Sequence, residues 1–133
     1  MSESFTPMMR ALVAAALLLA IGTLMFVTVN AARATGALAI GACGAYGQSF
    51  DFGSADEARK GALANCTGQN CRVVATVKHG CAALAVDFVS GCGAHGWGRA
   101  PKLGKAQNEA LQGCYRDGGK ECVIRTFFCD VKG

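Results

Sequence analysis

Residues 43–47 read CGAYG and residues 92–96 read CGAHG, 49 positions apart. ARKGALANC, ending at Cys66, returns as AQNEALQGC, ending at Cys114. CRVVATV from Cys71 is answered by CVIRTFF from Cys122, after a loop three residues longer, and Cys81 and Cys129 follow 48 apart, as are Cys66 and Cys114. Four cysteines recur in one order, Cys43, Cys66, Cys71, Cys81 and then Cys92, Cys114, Cys122, Cys129. Several matches in register mark an internal duplication.

The local signals repeat with it. Ser54 followed by Glu57 is a capping box, and Ala55, Ala58, Ala62, Leu63 and Cys66 then recur at the three- or four-residue spacing of one helix face. Leu103, Ala106, Ala110, Leu111 and Cys114 form the equivalent face. Both faces are narrow and built of small residues, so each helix must lie close on a sheet. Runs rich in β-branched residues supply strands from Arg72, Ala83 and Val123, and shorter strands are expected over 37–40, 47–52 and 94–99. The expected fold is α+β: an internally duplicated, mainly antiparallel sheet of about six strands with two packed helices, disulfide-rich.

Working outward, the chain divides at about residue 34. Residues 11–29 carry no charge, whereas the 99 residues from Thr35 hold both His, all eight Cys, eleven Lys and Arg and eight Asp and Glu. The expected organisation is an N-terminal transmembrane anchor or signal segment over 1–34 and a periplasmic domain over 35–133. The uncharged run exceeds the roughly 7 to 15 residues of a cleavable signal and enters the roughly 17 to 25 that cross a bilayer. A retained transmembrane helix is therefore the first expectation, with Arg10 weakly orienting this end toward the cytoplasm. Ala32 and Ala34 offer an A-x-A-like cleavage site as the alternative. Either route carries the Cys-rich domain out of the cytoplasm. The domain's net charge of +3 is spread without a basic run, too weak for a nucleic-acid footprint.

A domain this small hides a modest core, and eight cysteines supply the missing constraint as disulfides in an oxidising compartment. Eight cysteines allow 105 pairings. If each helix end is stapled to the next strand, the bonds are Cys66 to Cys71 and Cys114 to Cys122; the remaining equivalents then pair across the repeats, Cys43 with Cys92 and Cys81 with Cys129. A metal reading fits less well, since the C-x4-C of Cys66 and Cys71 has a C-x7-C counterpart. No haem attachment or C-x-x-C redox pair is present, and no cofactor is expected.

No catalytic constellation stands out. His79 precedes Gly80 at an expected hairpin, and His95 occupies the place of Tyr46 in the other repeat, which favours packing of an amphipathic ring. Asp51, Asp87 and Asp130 read as solvated turn residues. Gly91, Gly93, Gly96 and Gly98 read as turns and close contacts rather than a phosphate loop. Trp97, Phe127 and Phe128 are the candidate partner contacts, because adjacent phenylalanines on one strand must face opposite ways.

The order AYG, SADEARKGALANC, CRVVATVKHGCAALAV, GWG, ALQGC and CVIRTFFC resembles the bacterial domain of unknown function 4189 over about residues 39–130. The resemblance implies an exported, disulfide-bonded envelope protein, places six cysteines on the family framework with Cys43 and Cys92 as an added pair, and carries over no catalytic residue. The functional expectation is a non-enzymatic, single-pass protein of the bacterial inner membrane, an accessory or structural subunit whose partners are the lipid bilayer and a larger membrane protein complex. Its alternatives are a secreted binding protein, inhibitor or effector, released after cleavage, and, last, a small envelope enzyme.

Overall fold

The computed structural model describes residues 6–31 and 35–130, with the side chains of 23–31 excepted. Two units are present, residues 1–32 and residues 33–133, and each is taken by itself. The first holds one helix, α1 (Pro7–Ala31). No helix among the described residues is long and apolar enough to cross a membrane. This overturns the transmembrane anchor, the single-pass inner-membrane location, the bilayer and membrane complex as partners, and the accessory-subunit role built on them. The cleavage site at Ala32 and Ala34 lies outside the described residues.

The second unit runs β1 (Thr35–Ile40), a 3-10 turn (Ala42–Gly44), β2 (Tyr46–Phe52), α2 (Ala55–Asn65), β3 (Arg72–Val77), β4 (Gly80–Asp87), β5 (His95–Ala100), α3 (Leu103–Arg116) and β6 (Cys122–Asp130). The strands form two antiparallel three-stranded sheets, ordered β2-β1-β3 and β5-β4-β6, not the single sheet of six that was expected. The reason lies in the central strands. TGALAI and GCAALAVD are buried at every position. A strand that is apolar on both faces needs cover on both. One sheet with both helices on the same side would leave half of these residues wet.

The cover is supplied in layers. Leu38 and Ile40 of β1 meet Leu84 and Val86 of β4 and Phe128 of β6 in one core between the sheets. On the opposite face of β1, Ala37 and Ala39 pack on Ala58 and Ala62 of α2. On that of β4, Ala83 and Ala85 pack on Ala106 and Ala110 of α3. Large residues thus point to the sheet–sheet core and alanines to the helices, with the period of two that a strand imposes. The structural repeat accordingly begins at Ala37-Leu38-Ala39-Ile40 and again at Ala83-Leu84-Ala85-Val86, and His79 sits where the chain passes between sheets. β3 and β4 are not paired, so the hairpin expected there is absent.

Helix and sheet approach so closely that backbone meets backbone. A methyl group at Gly96 would collide with Cys114 N and Ala110 O of α3, and one at Gly47 with Ala62 O and Cys66 N of α2. Ser54 caps α2 by accepting from Glu57 N at 3.2 Å. The four disulfides are Cys43–Cys92, Cys66–Cys71, Cys81–Cys129 and Cys114–Cys122. Cys81 and Cys129 are directly opposed on β4 and β6, within the second sheet. Cys43–Cys92 is the bond that joins the two halves.

These contacts separate two glycine substitutions. Gly96→Ala should lower the unfolding free energy by roughly 1–3 kcal/mol through overpacking. Gly104→Ala, on an open stretch of α3 where nothing lies within 4 Å, should raise it by about 0.4–1 kcal/mol. Urea denaturation of the oxidised protein checks both.

Candidate binding surface along strand β5

HGWGRA alternates exposed and buried positions along β5. Gly96, Gly98 and Ala100 lie against α3, and the opposite alternation puts His95, Trp97 and Arg99 outward in one row. Trp97 is 42% exposed, a large aromatic held on a rigid strand between two basic side chains. Beside it, a hollow of about 400 Å³ is lined by His95, Trp97, Arg116 and Asp117. His95 Nδ1 lies 3.8 Å from Asp117 Oδ2.

β5 is an edge strand, and two of its outer backbone N–H groups are engaged by side chains. His95 N–H donates to Asp117 Oδ2 at 3.1 Å and Arg99 N–H to Glu109 Oε2 at 3.3 Å, Glu109 lying on α3 and Asp117 just past its end. The equivalent edge, β2, is treated alike: Asn65 Nδ2 donates to Gln48 O at 2.9 Å, and Asp51 N–H to Asp130 Oδ2 at 3.0 Å. Edges blocked in this way resist pairing with a foreign strand. What β5 offers a partner is its side-chain row.

A second concavity adjoins the far end of the row. A groove of about 530 Å³ lies where β3 passes to β4, lined among others by Thr76, Lys78, His79 and Arg99. Arg99 Nη1 donates to Thr76 O at 3.0 Å, which ties β5 to β3 across the two sheets.

The candidate contacts do not form one patch. Trp97 is paired with Leu84, which points to the sheet–sheet core, whereas Phe127 is paired with Ala83, which points to α3. Phe127 is 50% exposed on the other edge strand, and Phe128 is 6% exposed in the core. His95 is exposed while Tyr46 packs on the core, so the equivalence of the two did not extend to packing. Asp87 and Asp130 are buried rather than solvated. Lys78 and Arg99 were not singled out by the sequence; the alternation of glycine with His, Trp and Arg in HGWGRA was the signal that could have found the row.

The match to known families fits this architecture, covering residues 35–129 with the family described as Domain of unknown function (DUF4189). The chain belongs to the DUF4189 family. The matched span starts at β1 and stops one residue short of the end of β6, so it takes in both halves of the duplicated domain. No curated protein and no solved structure matches the chain.

The loops that flank the row converge on Asp87. Its carboxylate accepts from Val89 N–H at 3.0 Å and from Lys120 N–H at 3.2 Å, so it holds the β4–β5 loop and the α3–β6 loop together. Those backbone donors, Val89 first and Lys120 next, hold its carboxyl below the ordinary value of 3.8. A carboxyl lowered on folding contributes stability that is complete above its unfolded pKa and is lost as pH falls through the folded one. The urea midpoint should therefore drop between about pH 6 and about pH 2.5, and Asp87→Asn should be less stable at about pH 6 with a smaller drop. Equal pH dependence in both proteins would remove Asp87 from this role.

Proposed function

We propose that the domain is a non-catalytic binding protein that acts outside the cytoplasm, as a secreted inhibitor or effector, and grips a protein partner through the outward row of β5. The observation that carries this reading is Trp97, half-exposed between His95 and Arg99 on an edge strand that has the N–H groups of both neighbours engaged by acidic side chains. Aromatic and arginine side chains presented on rigid elements are the residues that dominate binding energy at protein interfaces. Four disulfides among eight cysteines support an oxidising location. They also leave no free thiol to pair with His79 or His95 as a nucleophile. His95 with Asp117 is then a polar rim to the row.

The expected outcome in a producing culture is recovery from the medium or the envelope fraction without detergent, co-eluting on gel filtration with a partner. Trp97→Ala and, separately, Arg99→Glu should elute as the free protein with all four disulfides retained. Retention in salt-washed membranes, or unchanged co-elution of both variants, would refute the proposal.

A further inference from the structure

We propose that the groove at the β3–β4 passage is a binding site for the phosphate group of a phosphate ester, held by Lys78 and Arg99. The two halves of the duplication diverge there. In the second sheet, Ala82 pairs with Phe128, and one step further Cys81 and Cys129 close the strand ends with a disulfide. In the first sheet the corresponding pair is Gly36 with Val77, and one step further stand Thr35 and Lys78. Where one half is stapled, the other opens into about 530 Å³, within the usual range of ligand pockets of roughly 300–1,000 Å³.

The lining gives the ligand its charge. Lys78, Arg99 and His79 contribute to the wall, and among the described residues no carboxylate does. Among the described residues neither Lys78 nor Arg99 forms an ion pair; Arg59 pairs with Asp56, and Asp117 lies beside His95. Arg99 is oriented through Thr76 O by one nitrogen, which leaves the rest of its donor fork for an oxyanion. Glu109 accepts from the Arg99 backbone N–H rather than its guanidinium. Ala55, the first residue of α2, also lines the groove and adds the partial positive charge of a helix N-terminus. Asp56 and Glu57 sit in the same turn, and Asp56 is engaged by Arg59. Val77, Ala100 and Pro101 provide an apolar wall, so the ligand is a phosphate carried on a larger body.

This site goes beyond the β5 partner reading and fails separately from it. The test is a titration of the full, oxidised, isotope-labelled chain with glycerol 3-phosphate and, in parallel, with water-soluble dihexanoyl phosphatidylglycerol below its micelle concentration, followed by backbone amide shifts. Saturable shifts should centre on residues 76–80 and 99–100. Lys78→Gln combined with Arg99→Gln should weaken binding by about tenfold or more. Trp97→Ala, which removes the partner contact, and Lys105→Gln, an exposed lysine on α3, should leave it unchanged, and Lys78→Arg should retain it. Tighter binding of glycerol 3-phosphate assigns a soluble ester, and tighter binding of the lipid assigns a headgroup. In the unmutated protein, shifts that do not saturate or that centre elsewhere overturn the site, however the variants fold. An equal affinity in the double variant and Lys105→Gln overturns it as well.

Discussion

The face-to-face contact between β1 and β4 governs the rest of the molecule. Leu38 and Ile40 on one side and Leu84, Val86 and Phe128 on the other bury the large apolar groups of both halves in one layer. Neither half can close that layer alone: a three-stranded sheet with one helix has its leucines facing water until the other arrives. Burial of such a side chain is worth roughly 1.5–3 kcal/mol, so the layer couples two units that are each too small to supply a core. The Cys43–Cys92 bond then ties the halves at one end, and Arg99 with Thr76 at the β3–β5 edge.

Once the leucines are committed inward, only small residues remain for the helices. Ala37, Ala39, Ala83 and Ala85 meet alanines of α2 and α3, and the edge strands must carry glycine at 47 and 96 to let the helix backbones in. The same alternation turns His95, Trp97 and Arg99 outward on β5. Glu109 of α3 and Asp117 just past its end reach over the edge to hold two of the strand's N–H groups and leave the row as a preorganised surface. The binding row and the tight packing are two faces of one pattern.

Much of this was legible. The spacings of 48 and 49, the capping box at Ser54 and the three- and four-residue recurrence of Ala and Cys located the duplication and both helices close to where they lie. The division into two sheets was not. ALAI and ALAV are apolar at every position, so they carry no inside–outside alternation to say which face meets a helix and which meets a sheet; a run buried on both sides reads the same in either architecture. The repeat boundary was obscured likewise, because Cys81 and Cys129 recur at the cysteine interval although Cys81 opens the second half and Cys129 closes it. The N-terminal run was read as a membrane crossing from its uncharged length alone. The groove was out of reach for another reason: Lys78 follows β3 and Arg99 lies on β5, so only the packing of the two sheets brings both to one wall. Trp97 was found, but grouping it with Phe127 and Phe128 needed a knowledge of faces and edges that the bulge between Leu84 and Ala85 further obscures.

The domain therefore works as a rigid frame in which a duplicated half supplies symmetry and the departures from symmetry supply surfaces: a tryptophan row where the first half has Gln48, and an open basic groove where the second half has a disulfide. Everything rests on the two sheets meeting face to face. Methyl-resolved NOE spectroscopy of the oxidised protein tests that most directly. Cross-peaks joining methyl groups of Leu38, Ile40 or Val77 to those of Leu84 or Val86 are predicted. Contacts of each set confined to its own half, with none between them, would contradict the account.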